Sequence, residues 1–235
     1  MKKVIYTLFI VTLSLACSGK DNDVSNETNA LSKCLMSKDY KYEDLLTKAD
    51  IAKHVTIEES SYKIDISSIK GDYGSCKHEW ASDRPDLEME LLGQLIKYPD
   101  MNRVTLKGLH FYSEAEIKLY NQSSALTLFN QTYEKLSQEE YNRLLANIEK
   151  EYANDPNGLA TAKKFLDARM EFTYQPISNL ADMAYWKWHA EYGIELVVLV
   201  GTAYFTVESK TSADKNTALD HAIKFAEEVL KKCEK

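Results

Sequence analysis

Five histidines (His54, His78, His110, His189 and His221) and four cysteines are the side chains here with the widest chemical reach. His78-Glu79 begins a His-Glu-x-x-His zinc signature, which needs its second histidine four residues on, upon a helix. Position 82 is serine, and Cys76, His78 and Trp80 alternate with Lys77 and Glu79 as strand residues do. His78 therefore reads as a core histidine. His189 and Glu191 stand two apart, on the parity of Tyr185 and Lys187, and would ligate a metal only with partners from elsewhere. A solvated polar face is the simpler reading. Cys76 beside a remote histidine has the makings of a nucleophile, yet a cysteine on the buried parity of a strand reads as inert or disulfide-bonded. There is no Gly-x-Ser-x-Gly elbow, phosphate-cradling glycine loop or Cys-x-x-Cys pair. With 36 acids, paired carboxylates discriminate nothing. No catalytic residue, metal or cofactor is expected.

Cys17 stands apart. Met1-Lys2-Lys3 precedes the apolar run Val4–Leu13, which is shorter than the roughly 20 residues a membrane span needs. Leu13-Ser14-Leu15-Ala16-Cys17 follows and resembles the lipobox of bacterial lipoproteins. That resemblance implies cleavage after residue 16, diacylglycerol on the Cys17 sulfur and anchoring in a lipid bilayer. Ser18 suits delivery to the outer membrane, and Asp21 and Asp23 are similar to surface-export signals of some lipoproteins. Residues 17–41 are then a lipidated cysteine and polar tether, and 42–235 a single domain. Losing residues 1–16 removes two of 29 basic residues, leaving 27 against 36 acids, a formal charge of −9. Nucleic acid and anionic headgroups are poor partners for such a balance. Export permits disulfides. Among Cys34, Cys76 and Cys233 at most one intrachain bond can form, with three pairings open. A Cys34–Cys233 bond would join the two flanks of the folded core and leave Cys76 as a strand thiol.

The elements that position these residues follow from periodicity. Thr47 caps a short helix over Lys48-Ala49-Asp50. Tyr62, Ile64 and Ile66 form a half-buried strand that pairs with 76–80 across the Gly71–Gly74 turn. Pro85 opens a helix striped by Leu87, Leu91, Leu92, Leu95 and Ile96, and Val104–Tyr112 is a strand. The block 113–172 is helical, with capping boxes at Ser113 and Ser137 and a break at 154–158. Trp186 and Trp188 then share one strand face, opposite Tyr185, Lys187 and His189. Ile194–Val200 is apolar on both parities except Glu195, and Ala203, Phe205 and Val207 alternate after a Gly201-Thr202 turn. Links this short make an antiparallel meander. Ala218, Leu219, Ala222, Ile223, Ala226, Val229 and Leu230 stripe a closing helix over 214–232. The fold class expected is α+β: an antiparallel sheet from the early hairpin and the meander, packed with helices, with a helical insertion at about 113–172.

Leu45-Leu46-Thr47, Cys76-x-His78-x-Trp80 and Leu180-Ala181-Asp182-Met183-Ala184 resemble motifs of a family of bacterial lipoproteins of unknown function. The match covers 42–82 and 178–232. Ala181 replaces the family's glycine, and Cys34 lies eleven residues before Leu45 rather than beside it. The resemblance implies a compact α+β sandwich, no known activity, and a Cys34–Cys76 disulfide. The functional expectation is a non-enzymatic, membrane-anchored domain that binds an envelope protein or small ligand. The alternatives are an envelope hydrolase with a dispersed site, or an immunity or inhibitor lipoprotein. The candidate ligand face is Tyr185, Lys187, His189 and Glu191, beneath the insertion.

Overall fold

The computed structural model describes residues 30–37, 41–67, 69, 71–171 and 174–233. Residues 1–29, which include the expected signal sequence, Cys17 and the first part of the expected tether, lie outside the described residues. Helix α1 spans 30–37, α2 Tyr42–Leu45 and α3 Lys48–Ala52, followed by strands β1 (Lys63–Ile66) and β2 (Ser75–Ala81). The strands β3 (Leu87–Leu91), β4 (Gln94–Tyr98) and β5 (Met101–Phe111) lead to helices α4 (Glu114–Leu119), α5 (Ala125–Tyr133), α6 (Gln138–Glu151) and α7 (Pro156–Met170). Then come β6 (Gln175–Ile177), β7 (Met183–His189), β8 (Gly193–Val200), β9 (Ala203–Lys210) and helix α8 (Lys215–Lys231). The chain is α+β: one seven-stranded antiparallel sheet, ordered β1-β2-β5-β9-β8-β7-β6, and a separate β3-β4 hairpin.

The main core lies between the sheet and α8. Cys76, His78 and Trp80 of β2, Val104 and Leu106 of β5, and alternate residues of β7, β8 and β9 bury their side chains on this face. Ala218, Ala222, Phe225, Ala226 and Val229 meet them, all without exposed surface. Phe225, outside the sequence stripe, is the largest side chain that α8 contributes. Across β5 the ladder to β9 slips between Lys107 and His110, where Gly108 has a φ of 64°. The Leu109 N–H at that bulge donates to the Tyr42 hydroxyl at 3.0 Å, which itself donates to the Gly71 carbonyl at 2.9 Å. A bulge that only glycine turns easily is thus capped from α2.

Several sequence expectations give way to the structure. Residues 87–96 are a hairpin, not a helix, and Pro85 lies in the loop before it. Leucine spacing fits both periods, but Leu87, Met89 and Leu91 also alternate with Glu88 and Glu90, and the turn falls at Leu92-Gly93. Structure begins before residue 42: α1 buries Leu35 completely and carries Cys34, which is bonded to Cys233 with Cα atoms 5.6 Å apart. The Cys34–Cys76 pairing implied by the family resemblance is therefore not formed, and Cys76 is a buried free thiol. Ile64 and Ile66 are exposed, because β1 is an edge strand flanked on one side only. The box at Ser113 is half-formed: its hydroxyl accepts the Glu116 N–H, while the Glu116 carboxylate accepts from His110 Nε2 at 3.0 Å. A short strand, β6, extends the expected meander by pairing with β7.

An ionic cluster fastens α3 to the end of α8. Asp50 meets Lys53 at 2.9 Å and Lys232 at 2.6 Å, and Glu228 meets Lys53 at 2.5 Å and Lys231 at 3.1 Å. Both carboxylates are nearly buried. Burial alone would raise Asp50, but hydrogen bonds from Lys232, Thr47 and Lys53 outweigh it and hold the carboxyl well below the usual range. The Lys53 bond leads in drawing Glu228 down from 4.5 to about 2, against its burial. A carboxyl held low in the fold stabilises it fully above its unfolded value, and less as pH falls towards its folded one. Melting temperature should therefore drop between pH 4.5 and 2. Glu228→Gln should lower it at pH 7 and flatten that acid limb. Calorimetry giving parallel acid limbs for the two proteins would contradict this role.

Candidate functional site

Cys76, His78 and Tyr62 form the most reactive-looking cluster in the sequence-predicted core. The Cys76 thiol lies 3.4 Å from His78 Nε2, and the Tyr62 hydroxyl 2.7 Å from Nδ1. The Leu46 carbonyl is 3.0 Å from Nε2 and can only accept, so the proton sits on Nε2 and Nδ1 accepts from Tyr62. Nε2 therefore offers no lone pair to the thiol. Burial pushes Cys76 up to about 12, with Glu43 and Asp65 adding to it, and burial lowers His78 despite the Leu46 bond. This is a neutral, satisfied core pair that ties the Leu-Leu-Thr turn to β2. Iodoacetamide at pH 8 should leave Cys76 unmodified in the folded protein and alkylate it in guanidinium. Mass spectrometry showing comparable labelling in both would refute that assignment.

The predicted ligand face does not converge. Tyr185 is buried beneath α5, its hydroxyl donating to Asn130 at 3.3 Å and its ring centroid 5.8 Å from that of Phe129. Tyr112, Leu128, Val197 and Leu199 complete this second core, with Tyr133, Tyr174 and Tyr204 around it. Of the insertion, α5 packs directly over one end of the sheet, while α6 and α7 pack on each other. Lys187 pairs with Glu195 at 3.4 Å, its ammonium 4.6 Å above the Tyr174 ring. His189 ends β7, and Glu191 lies in the following turn, off the strand face altogether. The remaining open sheet surface balances its charges: Lys107 bonds Glu208, and the Tyr174 hydroxyl also reaches Glu195.

A cavity of about 630 Å³ opens on the opposite face, at the edge of α8. It is lined by Trp80 and Asn102 from neighbouring positions of β2 and β5, by Thr211 past the end of β9, and by His221 of α8. His54, Val55, Thr56 and Glu58 from the segment after α3 close it, with residues 81–83 at the rim. The Thr211 hydroxyl lies 2.9 Å from His221 Nδ1 and 3.1 Å from the Ser209 hydroxyl. His54 Nε2 donates to Glu228 Oε1 at 3.3 Å. Both imidazoles flank Phe225, with ring centroids 6.0 and 6.3 Å away. Burial lowers His221, helped by Lys224 and His54 against Asp220, which favours a neutral ring in the wall.

Trp80 is the outlier. It is 1% exposed, and its indole N–H finds no acceptor among the described residues. Such a donor costs about 1–3 kcal/mol when buried unpaired. The sequence places Trp80 correctly in the core but gives no sign that His54, Thr211 and His221, from three other segments, gather around it.

No protein-family model matches this chain, and neither any curated protein nor any solved structure does. Among the described residues, no group of three or more His, Cys, Asp or Glu is arranged to hold a metal, and no helix is long and apolar enough to cross a membrane.

Proposed function

We propose that this chain is a lipid-anchored envelope protein whose domain binds a small polar ligand in the cavity beside Trp80. The unpartnered, buried indole N–H of Trp80, a residue that lines this cavity, carries the reading, because it asks for an oxygen acceptor that the described protein atoms do not supply. The wall offers further polar groups in the His54 and His221 rings and the Thr56 hydroxyl, while Val55 and Ala81 add apolar surface. A few polar groups set in a partly apolar hollow suit a small molecule rather than a flat protein partner. The lipobox at Cys17 supports the location.

The hydrolase alternative has one observation on its side, the hydrogen-bonded Thr211–His221 pair. A nucleophile and base also need a group that orients the base. The carboxylate that acts on His221, Asp220, accepts from Lys224 at 2.6 Å, and Glu228 bonds His54. Binding is therefore the better reading.

Nitrogen-15 spectra of the indole groups test it, with the Trp80 signal identified by its loss in Trp80→Phe. Titration with small carboxylates and polyols should move that signal ahead of those of Trp186 and Trp188. Trp80→Phe keeps most of the ring and loses the donor, so it should bind such a ligand about tenfold more weakly, the value of one hydrogen bond. A ligand that binds with the Trp80 signal unmoved would place the site elsewhere.

A further inference from the structure

The β3-β4 hairpin stands outside both cores. Every strand residue from Glu88 to Lys97 is exposed, whereas two-stranded hairpins are marginal in water without a surface to pack on. Its base is nevertheless pinned. Arg84 Nε donates to Asp100 at 2.7 Å and Arg84 Nη2 to the Met101 carbonyl at 2.8 Å, while Lys210 meets Asp100 at 2.8 Å. The hairpin is an arm held at its root.

Its tip is built against local preference. Leu92 and Gly93 form the two-residue turn, with φ of 52° and 77°. The first of these positions favours Asn, Asp or Gly, and a leucine there is strained. That leucine is 97% exposed. Strain that sets a large apolar side chain into water points to a role for the side chain rather than for the turn. Leu91 and Ile96 lie on one face of the arm beside Gln94, and Leu95, 63% exposed, lies on the other opposite Glu90, so apolar side chains stand on both faces of the tip. No charge occurs from Leu91 to Ile96. A protein groove would meet one face. Apolar side chains on both faces and at the turn itself suit a surrounding apolar medium better than a one-sided groove.

We infer that this tip dips into the outer part of a lipid bilayer, as a second contact beside the acyl anchor; the presence of that bilayer rests on the lipobox reading. Glu90 bounds the depth. At about 3.4 Å per strand residue it lies about 7 Å behind Leu92, which matches the boundary between headgroups and acyl chains. Glu88 is paired with Lys97 at 2.8 Å further back. Acyl chains on Cys17 would hold the chain at the membrane without fixing which face the domain turns to it, so an added apolar contact orients the domain on the surface. With acids behind the tip and an acidic chain overall, the attraction is apolar, and anionic lipid should not strengthen it.

The test uses the chain from Ser18 onward, which carries no acyl group and keeps every described residue, so the result does not depend on whether Cys17 is acylated. Sedimentation with phosphatidylcholine vesicles should pull down this protein at high lipid. Adding phosphatidylglycerol should not improve capture. Leu92→Asn relieves the turn, so its melting temperature should equal or exceed that of the parent while its vesicle partition falls about tenfold. Vesicle binding that is absent, or equal in the variant, overturns the proposal. So does a lipid-free dimer that Leu92→Asn dissociates, since that would assign the tip to a second copy.

Discussion

The close approach of α8 to the sheet is the contact on which the rest of the molecule depends. Ala218, Ala222 and Ala226 recur every fourth residue along the helix and are fully buried. Small side chains let the helix backbone settle low over β8 and β9, and Phe225, Val229 and Leu230 then fill the space to either side. The interior of the sheet reciprocates: β8 exposes almost nothing on either face. Because α8 lies over β8 and β9, the beginning of β5 and the end of β2 need another cover. The segment after α3 provides it, fastened to α8 through Asp50 and Glu228. The cavity beside Trp80 is the gap left where those two covers meet. The Cys34–Cys233 bond closes the same end of α8 onto α1.

The other face of the sheet is divided by its strand register. Tyr185, Val197 and Thr206 lie in one cross-strand row beneath α5, whereas Lys187, Glu195, Glu208, Thr105 and Lys77 lie in the row two residues along. The first row packs Tyr185 and Val197 against α5 with its aromatic residues, and the next pairs charges. Glu195 and Glu208 stand directly opposite each other, an unfavourable pairing on its own. Each is answered from a neighbouring strand, Glu195 by Lys187 and Glu208 by Lys107. The change from packed to charged rows explains why the helical block stops where it does.

Much of this was legible in the sequence where a single element decided its own partners. β7 and β9 announce themselves by alternation, β8 by its unbroken apolar run, α8 by its stripe, and α3 by the Thr47–Asp50 box, which the structure forms in full. The hairpin at 87–98 was not, because four leucines satisfy helical spacing as well as strand spacing, and Gly93 was the tie-breaker. α1 is only about two turns long, and Leu31, Cys34 and Leu35 are too few to stand out from a polar segment. Tyr185, Lys187 and His189 do alternate as read, but what covers a strand face is set by distant chain. For the same reason the cavity had no local signal. Trp80, His54, Thr211 and His221 come from four segments, and only the packing of α8 brings them together.

The account's central claim is that this gap between covers is a ligand site, organised by the Trp80 donor. A crystal structure of the protein purified from its native cells tests that directly. The account predicts density for a small molecule in the cavity, with an acceptor atom within about 3 Å of Trp80 Nε1 and further contacts to His54 or His221. A small molecule seated instead on the charged face between Lys107 and Glu195, with the Trp80 N–H bonded to water alone, would contradict it.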